Sequence, residues 1–361
     1  MRYAGSEPNP RTPQRTPIGL TRRVTVQTSP RAFSIKIRSS RRPEVTDLRT
    51  ELEAREDVPP LSRFARLLCV SYHTTAGFMD PALRRRLAGG PDRVQGFLDA
   101  LAGIFPPHAG YHHDRLELRD ELTEEQRVRE PLNADAHLSF IGGGFTNCTV
   151  YRSDSAEPLW FVDFDGAYRD SLDQPVRRVR HATVVGYDEE EVVDSVELEV
   201  DAAREDRAVR LRQDEHCLTR RLTEIARSHG IRYGRVDLSL ASGERDSGIT
   251  VNEFEALLME RDLKEILDEP LRYALDDSQL RRALGALGVT PERHDPLLER
   301  ALQAAPARLL RVRREASLAV LPGGGEGGQV VQGTYQSPIL LQWGQNGSGV
   351  RRLRADFVRL H

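Results

Sequence analysis

Val196-Glu-Leu-Glu-Val200 and Ala208-Val-Arg-Leu211 alternate apolar and polar residues, the period-two pattern of half-buried strands. Their place in the chain decides the fold, because the order of elements begins again there. Beyond them, Leu218, Leu222, Ile225 and Ala226 share one face of a helix that ends before Gly230. The pattern then predicts a strand over 233–240, a helix over 252–267 and strands near 309–320, 328–334, 338–343 and 350–358. The same succession fills the N-terminal side. Val24 and Val26, then Phe33, Ile35 and Ile37, give two alternating strands, followed by a helix across 44–56 and a buried strand over 64–72. Asp80-Pro81 opens a helix, proline suiting a first turn, and Gly89-Gly90-Pro91 breaks it in two. A short helix over 133–140 and strands over 147–152, 159–164 and 176–185 follow. Residues 22–188 and 189–361 are therefore two units of one element order, an internal duplication with a period too long for a solenoid. Residues 1–21, with four prolines and three arginines against Glu7, read as a flexible basic tail.

Composition excludes several classes. With 39% hydrophobic and 30% charged residues among 361, no run approaches the roughly 18 apolar residues of a membrane span. A net charge of −3 gives no footprint of a nucleic-acid partner. Cys69, Cys148 and Cys217 form no CxxC pair and no apolar signal segment is present, so a cytoplasmic, reducing location is expected.

Three histidines stand at element boundaries: His73 in Ser71-Tyr-His-Thr-Thr-Ala-Gly77, His113 in Tyr111-His-His-Asp114, and His137 in Asn133-Ala-Asp-Ala-His-Leu138. Neutral imidazoles ligate zinc and similar divalent metals, and three protein ligands with an open position characterise catalytic sites. Asp114 and Asp135 are placed to orient the imidazoles. The spacings of 40 and 24 residues match no compact metal motif, so hydrogen-bonded core histidines are the alternative reading at this point. Arg177, Arg178 and Arg180 suit either an anionic substrate or a solvated strand face.

These motifs, with Asp80-Pro81 and Phe161-Val-Asp-Phe-Asp-Gly166, occur in the order and approximate spacing of the YjbQ-like family, which they resemble. The second half resembles the same family through Glu224-Ile-Ala-Arg-Ser-His-Gly-Ile231, Gly248-Ile-Thr-Val-Asn-Glu253 and Gly333-Thr-Tyr-Gln-Ser337. The resemblance implies an α+β fold in two tandem copies, each a mostly antiparallel sheet or sandwich with a few helices packed on it, and a tendency to form homo-oligomers. It also implies a metal held by His73, His113 and His137, with zinc as the expected cofactor, and chemistry like that of secondary thiamine-phosphate synthases. Thr74, Thr75, Asn133, Asn252 and Gln336 are the implied substrate-binding groups, and Asp114, Glu157 and Glu253 the implied catalytic carboxylates.

The two halves have complementary losses. The first lacks the Thr-x-Asn-Glu segment and carries Glu157 where the family has glutamine. The second keeps Asn252, Glu253 and Gln336 but loses every motif histidine, with Glu244, Leu275 and Arg308 in their places. One composite site per chain follows as the expectation, independent decay of the second copy being the alternative. Two functions are carried forward. One is a metal-dependent enzyme acting on a small polar metabolite, phosphorylated or not. The other is a non-catalytic binding or assembly protein whose duplication serves oligomerisation.

Overall fold

The computed structural model describes residues 29–361 apart from 88–89, 121, 154–156, 203–207, 213–216, 245, 254–256, 270–271, 274–310, 324–326 and 344–348. The expected tail, the strand at Val24 and Val26, and the positions Leu275 and Arg308 lie outside the described residues.

The first half contains β1 (Arg31–Arg38), β2 (Glu44–Asp47), α1 (Leu48–Glu53), β3 (Arg66–Ser71), β4 (Ala76–Met79), α2 (Pro81–Arg86) and α3 (Pro91–Ile104). It continues with α4 (Glu124–Arg129), α5 (Ala134–Gly142), β5 (Phe145–Thr146), β6 (Cys148–Arg152), β7 (Trp160–Asp163), the hairpin β8 (Ala167–Arg169) and β9 (Pro175–Arg177), and β10 (Val179–Tyr187). The second half contains β11 (Glu190–Asp201), β12 (Ala208–Arg210), α6 (Leu218–Ser228), β13 (Gly234–Leu240), β14 (Ser247–Glu253) and α7 (Leu257–Asp268). It closes with β15 (Glu315–Pro322), β16 (Gly328–Val330), β17 (Gln336–Gln342) and β18 (Val350–Leu360).

Strand order repeats between the halves. The first has sheets β1-β10-β3-β6 and β2-β7-β4-β5, and the second has β11-β18-β13-β15-β16 and β12-β17-β14. The strand pairings in these sheets are antiparallel, giving an α+β architecture. The expected helix over 252–267 starts later. Counted from Gly77 and Gly248, strand β14 runs on to Asn252 and Glu253, while the first half turns into α2 at the matching Pro81 and Ala82. Pro81 cannot continue a hydrogen-bonded strand, and Asp80 caps the helix by accepting from the backbone N–H groups of Ala82 and Leu83. The expected helix over 44–56 is likewise shorter, because Glu44–Asp47 pairs with β7 before α1 begins.

Each half has its own core between its two sheets. Phe33, Ile35, Leu67 and Cys69 meet Phe78 and Phe161 in the first. Leu198, Val236 and Phe357 meet Ile249 and Leu340 in the second. The alternate face of β3 does not meet water. Leu68 and Val70, with Cys148, Val185 and Tyr187, pack on Ala319, Leu321, Val358 and Leu360 of the second half. A second apolar seam joins Ile104, Tyr111 and Leu138 to Met259, Leu263, Ile266 and Trp343. Burial on both faces is why 67–70 is an unbroken apolar run. Among the described residues, no helix is long and apolar enough to cross a membrane.

The turn before β17 sets a further contact between the halves. A Cβ on Gly333 would overlap the carbonyl oxygen of Tyr72, so only glycine lets the two backbones approach. Gly333→Ala is expected to cost about 1–3 kcal/mol, since backbone on both sides must shift. A chemical-denaturation midpoint equal to that of the wild type would contradict this contact.

Candidate functional site

His113 lies in the loop after α3 and His137 on the second turn of α5, both buried. Glu253, the last residue of β14, enters between them from the second half. Its Oε2 stands 3.0 Å from His137 Nε2 and 3.4 Å from His113 Nε2. One ligand atom from each of the three residues falls within 4.8 Å of the other two.

Local chemistry explains why they converge. Asn252 Nδ2 donates to the Thr74 carbonyl at 2.9 Å, which leaves its Oδ1 to accept from Glu253 N–H at 2.8 Å. The same Oδ1 lies 2.8 Å from His137 Nδ1 and must be the acceptor there, because both amide protons belong to Nδ2. The Nδ1 proton is thereby fixed, and Nε2 is the nitrogen that faces Glu253. Asp114 Oδ1 accepts from the N–H of Ala134 at 2.9 Å and so caps the helix that carries His137. Asp114 also stands 3.6 Å from His113 Nδ1. Among the described residues, His113 Nδ1 and Asp114 Oδ2 are buried without hydrogen-bond partners.

Charge at this point is strongly coupled. Burial disfavours the charged form of His113, but the neighbouring carboxylates of Asp114 and Glu253 outweigh it and raise its pKa to about 9. Burial alone would raise the pKa of Glu253, yet its bonds to His113 and His137 hold it well below the usual carboxylate range. Arg119 is buried beside them, 3.6 Å from Glu253 Oε1 and 3.3 Å from Glu130 Oε1.

His73 does not join this group. Its Nε2 accepts from the backbone N–H of His181 at 2.7 Å, so that lone pair is engaged. Burial, helped by Arg180, lowers its pKa to about 3 and keeps the ring neutral. Of the three expected histidines, the structure brings His113 and His137 together with Glu253 and leaves His73 apart. Glu157 is also displaced from the expected role: it is exposed and ion-pairs with Arg84 beyond the edge of β7. Asp135 pairs with Arg42 rather than with an imidazole.

The other expected residues serve as framework around a polar cavity of about 340 Å³. His73, Thr74, Asn133, His137, Glu253, Arg119, Arg178, Arg180 and the half-exposed Tyr335 line it. Thr75 Oγ1 donates to Asp165 Oδ1 at 2.5 Å, and Asn133 Nδ2 donates to Asp165 Oδ2 at 2.7 Å. Arg178 reaches Asp165 Oδ2 at 3.1 Å, while Arg180 bonds both Asp163 and Asp165. Arg177 stays exposed. Gln336 Nε2 donates to the carbonyls of Ser71 and His73 at 3.1 and 2.8 Å, so it braces the His73 backbone and does not face a ligand. In the second half Glu244 pairs with Arg351. Arg119 and Asp165 carry this site without having been singled out from sequence. Asp165 lay inside the quoted Phe161–Gly166 stretch, whereas Arg119 sits in a charged loop with no distinguishing pattern.

No family model and no curated protein matches the chain. Solved structures do. A YbjQ-like protein of unknown function from Sulfolobus solfataricus is 21% identical over 47% of this chain and 99% of its own, with a TM-score of 0.28. The chain is similar to the YjbQ-like proteins. A YjbQ/UPF0047 family protein from Clostridium acetobutylicum matches 46% of this chain and 99% of its own at 15% identity, with a TM-score of 0.27. A conserved hypothetical protein from Thermus thermophilus does so at 23% identity over 46% and 99%, with a TM-score of 0.27. Each of these structures matches about half of this chain over nearly its whole length.

Proposed function

We propose that the chain is a metal-dependent enzyme acting on a small polar metabolite, with one centre per chain held by His113, His137 and Glu253. The observation that carries this reading is the convergence of three ligand atoms, two from one half and one from the other, with His137 and Glu253 also lining a polar cavity. Two imidazoles and one carboxylate are a donor set of catalytic zinc sites, which leave a position open. The surroundings fit the same role. Asn252 fixes the His137 tautomer, and the unpaired His113 Nδ1 and Asp114 Oδ2 are adjacent groups that can orient each other. When bound, a divalent ion of this kind supplies Lewis acidity to a carbonyl or phosphoryl oxygen.

Within the cavity Arg119, Arg178 and Arg180 set out guanidinium groups that suit an anionic substituent. His73, held neutral, offers a hydrogen bond without adding charge. Asp114 caps α5 through Oδ1, and Glu253 is the ligand carboxylate in this arrangement. The pyrimidine pyrophosphate and thiazole phosphate pair of thiamine-phosphate synthesis, which the sequence resemblance implies, is the first substrate pair to assay.

Elemental analysis of tag-free protein tests the proposal. About one zinc or similar ion per chain is expected, lost in the His113→Ala/His137→Ala double variant while the fold persists by circular dichroism. A metal-free wild-type chain whose stability is indifferent to chelators and to added zinc would instead favour the binding or assembly role.

A further inference from the structure

We propose that Asp262, on helix α7, is a positioning residue that sets the metal affinity of the His113–His137–Glu253 centre; this rests on the metal-centre reading above. Asp262 is fully buried. It lies on the apolar face of α7, among Met259, Leu263 and Ile266, where a carboxylate is costly unless hydrogen-bonded. Its two oxygens accept from consecutive backbone N–H groups, His112 and His113, each at 2.8 Å. A carboxylate bound in this two-pronged way fixes both the place and the rotation of the peptide that carries the ligand. The Cα–Cβ direction of His113 follows from it.

The source of the clamp matters as much as its geometry. Glu253 ends β14 and α7 begins at Leu257, so the ligand carboxylate and the clamp are carried by successive elements of the second half. The His113 loop, by contrast, leaves α3 through Gly110, at a φ of 81°, and has no regular structure of its own before Leu116. Without Asp262, the His112 and His113 backbone loses its two hydrogen bonds to the second half, and the distance between His113 Nε2 and Glu253 Oε2 is set less directly, by the packing of Tyr111 and the contact of His112 with Glu265. With it, one segment places both sides of the centre. A second half without motif histidines then still determines how tightly the first half's histidines hold a cation.

Titration of the full chain, stripped of metal, with Co²⁺ alone tests this, reading both the dissociation constant and the visible absorption of the bound ion. Asp262→Ala is expected to weaken Co²⁺ binding about 10–100-fold and to alter the band shape, the range typical for loss of a partner that orients a ligand. Asp262→Asn, which retains one acceptor, should fall between that variant and the wild type. It also serves as the test should the alanine variant not fold. Glu265→Gln leaves both clamp bonds in place and should keep the wild-type affinity. Measurements are made well below the melting temperature of each variant, so a residue that served stability alone would lower melting without moving affinity or spectrum. Wild-type affinity and spectrum in a folded Asp262→Ala chain overturn the inference and leave the centre standing. Two Co²⁺ per chain, one of them lost in His112→Ala, also overturn it, since Asp262 would then be a ligand in a site with His112 and Glu265. No Co²⁺ bound by the wild type, with no effect of His113→Ala, removes the centre and the inference together.

Discussion

Glu253→Gln is expected to weaken metal binding by more than the roughly 10–100-fold that follows loss of an orienting partner, because a ligand itself is neutralised. The effect has a second signature in the metal-free chain. Burial works against charge on His113, and Glu253 is one of the two groups that overcome it and raise its pKa to about 9. With glutamine in place, Asp114 alone opposes burial and the nearby Arg119, so the imidazole should lose its proton at lower pH. The sign of the stability effect follows. A folded pKa above the unfolded value of about 6.5 contributes stability that is complete below pH 6.5 and disappears as pH rises through about 9. The metal-free wild type should therefore lose stability between pH 6.5 and 9, and the glutamine variant should show a flatter profile there. Proton release on metal uptake should be greater for the wild type over the same range. Urea midpoints across that range, with a metal titration at pH 7.5, check both parts. Equal metal affinity and parallel pH profiles would remove Glu253 from the centre.

How far the sequence foretold this site depends on the residue. Element order and alternation exposed the duplication, since Val196–Val200 and the strands after it repeat a pattern already met at Phe33–Ile37, and the sheets repeat with it. His113 and His137 stand out in the sequence because each sits at an element boundary flanked by small or polar residues. His73 sits in equally suggestive company, and what sets it apart is a backbone N–H from the neighbouring strand β10, a contact no local pattern records. Glu253 was legible as a retained motif residue, but its partners lie 140 and 116 positions away in sequence and packing between the halves brings them together. Asp262 left one local trace, a carboxylate on the apolar face of a helix. Glu157, expected among the catalytic carboxylates, is exposed and ion-pairs with Arg84, a contact that the local sequence does not record.

Asp165→Asn should be the most damaging framework substitution. The Asp165 side chain is inaccessible to solvent and gathers four groups from three places: Thr75 after β3, Asn133 before α5, and Arg178 and Arg180 at β10. These are the segments that carry His73, His137 and the arginine wall of the cavity, so the acid ties the site's supports to one point. Burial alone would raise its pKa, but Arg180 and Arg178 reverse that and hold it well below the usual carboxylate range. An amide retains acceptor oxygen yet leaves the guanidinium groups short of one buried charge, and breaking a buried ion pair from one side costs about 3–5 kcal/mol. Asp163 still faces Arg180, which places the expectation at the lower end of that range. The pH dependence separates charge from packing. Because the folded pKa lies below the unfolded value of about 3.9, the carboxylate's contribution is complete above pH 4 and declines as pH falls towards the folded value. The gap between wild type and Asp165→Asn should therefore be full at pH 7 and narrower at pH 3. A gap that stays constant down to pH 3 would mean that shape and hydrogen bonding, rather than the buried charge, hold these segments together.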